Sequence, residues 1–418
     1  MKNSFSRVQG NCWKAFGAIA AFFGFNPAQA QSFEAPVDSV FGLPTDLNLP
    51  ILTSADLDND GDFDLIITER SYSYGSYDYT RVLYYQNVGT AEDPLFSDAD
   101  ENLIPIPVAG PYQYVYLRNC ELADLDGDGD FDLLLSEYSY DEYSPGEEYH
   151  KWFYFENIGS PENPQFAEPV ENPFNLQVAG YINLFDLGDI DGDGDIDLIG
   201  QQFPYDYNPG FSFQENIGTV NAPNFAAVST NPFGLAPTDA INVPELGDID
   251  GDGDLDLIST GEYGDFYFFE NTGSANSPAF AAPSQNSLGL VSTDGAPQFP
   301  LIQDVDNDGD LDILSGVYDY YDSTINFHKN NLITSLQEIS DENVRIFPNP
   351  VIDVLSVQNQ SEYTFNRIQI LDLNGKLVFD QSMNSKQKTI QLEFLESATY
   401  LLVLSNNEIR LSKKIIKK

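Results

Sequence analysis

Five copies of one acidic nonapeptide place aspartates at every second position: DLDNDGDFD, DLDGDGDFD, DIDGDGDID, DIDGDGDLD and DVDNDGDLD. The carboxylates are Asp56, Asp58, Asp60, Asp62 and Asp64 in the first copy, and Asp124, Asp126, Asp128, Asp130 and Asp132 in the second. The third has Asp189, Asp191, Asp193, Asp195 and Asp197, and the fourth Asp248, Asp250, Asp252, Asp254 and Asp256. The fifth has Asp304, Asp306, Asp308, Asp310 and Asp312. Hard oxygen donors at odd positions, with glycine at position 6 for a sharp turn, describe a loop that wraps Ca²⁺. The expectation is about five structural Ca²⁺. Side chains 1, 3, 5 and 9 and the backbone carbonyl of position 7 would bind the ion. The position-7 side chain would either point to solvent or reach the ion through water. The plainer reading, an acidic surface turn without metal, must bear the repulsion of five adjacent carboxylates.

A helix–loop–helix calcium site needs a bidentate Glu at position 12 and a helix on each side. Position 12 is Ile67, Leu135, Gly200, Ser259 and Ser315, and the exit runs LIIT, LLLS, LIGQ, LIST and ILSG read as strands. The loops therefore join strand to strand.

Motif starts lie 68, 65, 59 and 56 residues apart. Each unit contains an apolar strand before the motif, the exit strand, a variable loop, and a third strand such as WFYFEN or FYFFEN. In four units a Gly-containing turn and a Pro-x-Phe strand follow, at Phe96, Phe166, Phe225 and Phe280. Four short strands at this period are the pattern of a β-propeller blade. The fifth unit stops at INFHKN, while SFEAPV at Ser32 matches QFAEPV at Gln165. The N-terminal strand is therefore expected to complete the last blade and close a five-bladed ring, removing two open edges. The fold class is all-β: a five-bladed β-propeller over 31–330 and a small β-sandwich over 344–418.

Residues 1–30 read as a removable export signal. Lys2, Arg7 and Lys14 precede the short apolar stretch from Ala15 to Phe25, and Ala28-Gln29-Ala30 is a cleavage pattern. No later stretch approaches the length of a transmembrane helix. Cys120 alone remains after the signal, so no internal disulfide forms and calcium is the available staple. Of 66 acidic and 18 basic residues, 31–330 holds 56 and five, a net of −51. That surface argues against nucleic acids and anionic membranes as partners.

No nucleophile elbow, phosphate loop or His-based metal pattern is present, and His150 and His328 read as structural. Carboxylates are too abundant to single out a glycosidase pair. The loop between second and third strands is Tyr-rich in every unit: Tyr74, Tyr140, Tyr205, Tyr263 and Tyr320. Tyrosines suit stacking on sugars or contact with a protein at low entropic cost. The plainer reading has them covering strand ends.

The units resemble the FG-GAP/VCBS family of calcium-binding propeller repeats, related to the integrin α-chain head. The resemblance rests on Asp-x-Asp-x-Asp-Gly-x-x-Asp, the Leu-Ile exit and Tyr-Phe-Glu-Asn-x-Gly, and covers about 33–330. Family members commonly have seven blades, so five is a departure. Residues 344–418 resemble the type A C-terminal sorting domain of the type IX secretion system. That resemblance rests on Phe347-Pro348-Asn349-Pro350, Leu371-Asp372-Leu373-Asn374-Gly375-Lys376 and Tyr400-Leu401-Leu402, with Ala398 where the family has Gly. It implies export across a Gram-negative outer membrane, with the secretion machinery as a partner. An ordinary β-sandwich binding module is the plainer reading of this tail, and 331–343 is the linker. The expected function is a secreted or cell-surface, non-enzymatic binding or adhesion module for a glycan or an extracellular protein. The alternative is a polysaccharide hydrolase or lyase on the same scaffold.

Overall fold

The computed structural model describes residues 33–418 except 39, 72–78, 108–112, 142–147, 161, 179–183, 203–208, 240, 293–294, 320–322, 331–343, 361–364, 366, 372–376, 384–385, 393, 396–397 and 406–409. The expected signal (1–30) and linker (331–343) lie outside the described residues. The described residues fall into two compact units, 33–330 and 344–418. The chain is all-β, with almost no helix.

The first unit contains five antiparallel sheets. β1 (Val37–Asp38) precedes a first sheet of β2 (Ile51–Ala55), β3 (Asp64–Ser71) and β4 (Tyr79–Tyr85). The second sheet is β5 (Gln113–Ala123), β6 (Asp132–Asp141), β7 (Glu148–Phe155) and β8 (Val170–Glu171). The third is β9 (Phe185–Gly188), β10 (Asp197–Gln202), β11 (Gly210–Gln214) and β12 (Ser229–Thr230). The fourth is β13 (Val243–Gly247), β14 (Asp256–Thr260), β15 (Phe266–Phe269) and β16 (Ser284–Gln285). The fifth sheet orders β17 (Gln298–Gln303), β18 (Asp312–Val317) and β19 (Thr324–His328), and β1 is its fourth strand. Val37 pairs with Phe327 and Asp38 with Asn326, while Phe33 bridges Asn330.

Apolar residues on both faces of each sheet make a core between every pair of neighbours. Leu65 and Leu314 share one between the first and fifth sheets, and Ile66 and Phe153 one between the first and second. Leu134 and Leu198, Ile199 and Leu257, and Ile258 and Ile313 mark the other three. The first strands touch in cyclic order: β2 on β5, β5 on β9, β9 on β13, β13 on β17, and β17 on β2. Ile51, Leu184, Val243 and Phe299 from these strands and the residue preceding β9 form a further apolar cluster.

The Pro-x-Phe segments differ from the strands expected of them. Phe96, Phe166, Phe225 and Phe280 each make a single bridge, to Asn87, Asn157, Asn216 and Asn271. Backbone bonds such as Ile158 N–H to Gln165 O and Ala167 N–H to Glu156 O, both 2.8 Å, flank each bridge, and side-chain bonds reinforce it. Asn157 Oδ1 accepts from the backbone N–H of Gly159 at 3.1 Å and of Gln165 at 3.0 Å, and the equivalent asparagines do the same. The proline removes one ladder donor, and the asparagine pins the turn instead. The phenylalanines are buried.

In the second unit, β20 (Val344–Phe347), β21 (Val354–Asn359) and β24 (Gln387–Gln391) form one sheet. β22 (Arg367–Leu371), β23 (Leu377–Ser382), β25 (Thr399–Ser405) and β26 (Arg410–Ile416) form the other. Val357 and Ile390 from one and Ile368, Leu402 and Ile415 from the other share a single core, a β-sandwich. Asn349 explains part of the Phe-Pro-Asn-Pro motif. Its Nδ2 donates to Lys414 O at 2.8 Å and its Oδ1 accepts from Ile416 N–H at 2.9 Å, holding the last strand.

Candidate metal centres

Each nonapeptide joins the first strand of a sheet to its second, and its backbone is shaped by two left-handed residues. Position 6 is always glycine, with φ between 98° and 103°. Position 4 is also left-handed, as Asn59, Gly127, Gly192, Gly251 and Asn307, with φ between 52° and 73°. Only Gly and Asn adopt this conformation readily, which accounts for the Asn/Gly alternation in the motif.

The position-1 carboxylate caps the turn. Asp304 accepts from Asp308 N–H at 3.1 Å and from Gly309 N–H at 3.2 Å, as Asp56 does from Asp60 and Gly61. Position 9 braces the loop from behind. Asp132 Oδ2 accepts from Leu125 N–H at 3.2 Å and from the Tyr154 hydroxyl at 2.9 Å, and its Oδ1 accepts from Asn157 N–H at 2.9 Å. The two backbone bonds recur at Asp64, Asp197, Asp256 and Asp312. Position 9 thus ties the loop to the Asn that ends the third strand.

Buried carboxylate oxygens without a hydrogen-bond donor remain at positions 1, 3 and 7. They include one oxygen each of Asp58 and Asp62, Asp124 and Asp130, Asp189, Asp191 and Asp195, Asp248 and Asp254, and Asp306 and Asp310. The oxygens of Asp56, Asp58 and Asp60 approach within 4.8 Å of one another. So do those of Asp124, Asp126 and Asp132, of Asp189, Asp191 and Asp193, and of Asp248, Asp250 and Asp252. Burial, then the neighbouring carboxylates, pushes Asp62, Asp130 and Asp195 up to about 6. Burial pushes Asp132 to about 7 and Asp197 and Asp256 to about 8. Unpartnered, crowded, partly buried oxygens are what a hard divalent cation with several oxygen ligands fits.

The FG-GAP-like repeat model matches residues 56–135 and 248–315, and the secretion system C-terminal sorting domain model matches 345–418. The chain carries FG-GAP-like repeats and a secretion-system sorting tail. The sorting tail points to export, and neither family indicates a catalytic activity. No curated protein matches it. A solved structure of the Tc holotoxin pore of Photorhabdus luminescens aligns with 95% of this chain at 14% identity and a TM-score of 0.35, and the chain spans 20% of that one. No helix among the described residues is long and apolar enough to cross a membrane.

The second and fourth sheets place the described tyrosines Tyr140 and Tyr263 far from the nonapeptides. Tyr140 lies near the end of β6, eight residues beyond Asp132, or roughly 26 Å along the strand. Tyr263 lies in the turn after β14 and is 61% exposed. Tyr140 stacks on Tyr114 at 5.0 Å with the rings 13° from parallel. Tyr74, Tyr205 and Tyr320 lie outside the described residues.

His328 is a core residue. It takes the register of Phe155 and Phe269, packs edge-on against Phe266 at 5.4 Å, and is lowered to about 4 by burial. A further acidic group escaped the sequence reading. Glu121 on β5, Asp186 on β9 and Glu245 on β13 are buried, with oxygens within 4.8 Å of one another. Burial first, then their mutual charge, raises Glu121 and Glu245 well above the usual range, and burial raises Asp186 to about 7. Each stands three residues before its motif, in ELADLD, DLGDID and ELGDID, which is the signal that could have found them.

Proposed function

We propose that the chain is a calcium-stabilised binding or adhesion module on a five-bladed propeller, released or displayed outside the cell, with a glycan or an extracellular protein as ligand. The observation that carries the calcium reading is the set of unpartnered buried oxygens repeated at the same loop positions. Positions 1, 3, 5 and 7 would surround the ion, and position 9 would hold the loop while adding charge. A bound Ca²⁺ would offset the burial and the mutual repulsion that raise these carboxylates. The cyclic contacts of the five first strands, with β1 paired to β19, support the ring.

The binding surface is assigned to the tyrosine-bearing strand ends. Tyr140 and Tyr263, exposed at the ends of β6 and β14 away from the nonapeptides, support it. The stacked Tyr114–Tyr140 pair offers a rigid apolar face with polar tips, suited to a sugar ring or a peptide. The sorting tail supports recognition by the type IX secretion machinery and a Gram-negative cell surface as the destination. The test is a glycan array and a polysaccharide panel with the full secreted chain. Retention without reducing-end release, lost on Tyr140→Ala, is the expected result. Turnover of any polysaccharide would replace the reading with an enzyme.

A further inference from the structure

The five nonapeptides are near-identical, but the side chain facing them from the third strand is not. The residue before each bracing asparagine is Gln86, Glu156, Glu215, Glu270 and Lys329. In the first sheet this side chain reaches position 3 of the loop: Gln86 Nε2 donates to Asp58 Oδ2 at 2.6 Å. In the fourth sheet Glu270 adds its charge to Asp250 and Asp254. In the fifth sheet the Lys329 ammonium bonds the position-3 carboxylate, Asp306, and lies 3.1 Å from the position-5 carboxylate, Asp308. An internal cation thus sits on one oxygen each of two carboxylates that a metal would take, while Asp306 Oδ1 and one oxygen of Asp310 stay without a donor.

We propose that the Lys329 ammonium stands in for a metal on Asp306 and Asp308, so that the fifth sheet is metal-independent and the chain binds four Ca²⁺. The proposal rests on the calcium reading of the nonapeptides. Only five of the chain's basic residues fall in 31–330, and this one is placed in an acidic loop rather than on the acidic surface. A divalent ion entering the fifth loop must displace the ammonium and leave it beside a like charge, which lowers affinity by both routes. In the fourth sheet the corresponding Glu270 does the reverse, adding a carboxylate beside the loop. Lys329 also belongs to the segment that receives the N-terminal strand, since its carbonyl accepts from Glu34 N–H at 2.8 Å. The sheet built from both parts of the sequence therefore carries its own cation.

The test is calcium stoichiometry by calorimetry and equilibrium dialysis on the full chain after chelator treatment. Four ions are expected. Lys329→Glu, which copies the second to fourth repeats, should bind a fifth ion, with an affinity at the new site at least about tenfold above that of Lys329→Met. Asp306→Asn with Asp308→Asn should leave the count unchanged, while Asp191→Asn with Asp193→Asn should lower it by one. Five ions in the native chain, or loss of one on changing Asp306 and Asp308, would overturn the proposal while leaving the calcium reading intact. No bound calcium in any variant would remove the reading itself and the proposal with it. Because the native count alone decides between four and five, failure of a variant to fold does not block the test.

Discussion

Asp186 Oδ2 accepts the backbone N–H of Leu246 at 2.6 Å, a hydrogen bond that crosses from the third sheet to the fourth. Glu245 continues the pattern by accepting from Ile302 N–H at 3.1 Å in the fifth sheet, and Thr53 Oγ1 accepts from Leu122 N–H at 3.4 Å between the first and second. The residue three places before each of these motifs clips its strand to the next. Two of these clips are carboxyl groups, and with Glu121 beside them the three acids lie too close to ionise together.

Stability of the first unit should therefore fall as pH rises. An ordinary aspartate titrates near 3.8, whereas Asp186 in the folded chain titrates at about 7. Between those values the folded state holds a proton that the unfolded state has released. The contribution is complete below the unfolded value and is lost as pH climbs through the folded one, at up to about 1.4 kcal/mol per pH unit for each such group. Urea unfolding at pH 5 and pH 8 should show the chain weaker at pH 8. Glu121→Gln should flatten that difference, because the amide mimics the protonated acid. An identical slope in the variant would show that the group does not titrate on unfolding.

Calcium removal should lower the melting midpoint. At millimolar free Ca²⁺ and site constants near 10⁻⁴ M, each occupied loop adds about 1–3 kcal/mol. Asp191→Ala with Asp193→Ala should lower the midpoint and remove about one ion. Melting curves that superimpose with and without chelator would exclude structural calcium.

Gly159→Ala should destabilise the second sheet by about 1–3 kcal/mol. A Cβ at this position would lie 2.3 Å from Asn163 O and 2.6 Å from Gln165 N, in the turn that Asn157 pins. The same change at Gly129, where a Cβ meets nothing within 4 Å, isolates the cost of the left-handed backbone alone. Denaturant midpoints of the two variants make the comparison.

Deleting residues 31–38 should expose the β19 edge and lead to aggregation or failure to fold. Light scattering and circular dichroism on the truncated chain check this. A soluble monomer with unchanged sheet content would mean that the β1 pairing is dispensable.

Much of this was readable in the residues. The alternation of Asp, the fixed Gly and the apolar exit runs gave the strand–loop–strand units, and the phase of SFEAPV gave the pairing of the N-terminal strand with β19. What was not readable depends on neighbours. The Pro-x-Phe runs look like full strands, but each makes one bridge, which Asn157 and its equivalents reinforce by side-chain bonds. Position 9 looks like a ligand only, yet Asp132 is also a brace, because Tyr154 and Asn157 come from another strand. The Glu121, Asp186 and Glu245 group exists only once β5, β9 and β13 lie side by side.

The pairing of Val37 with Phe327 also sets an order of events. A chain that is made and threaded from its N-terminus presents its first strand some 290 residues before that strand has anything to hold. Until β19 arrives, the earlier sheets lack their last neighbour and the unit keeps an open side. The first four sheets are each contiguous in sequence, but the fifth is complete only when the two ends of 33–330 meet, which makes its closure the last pairing available to the chain.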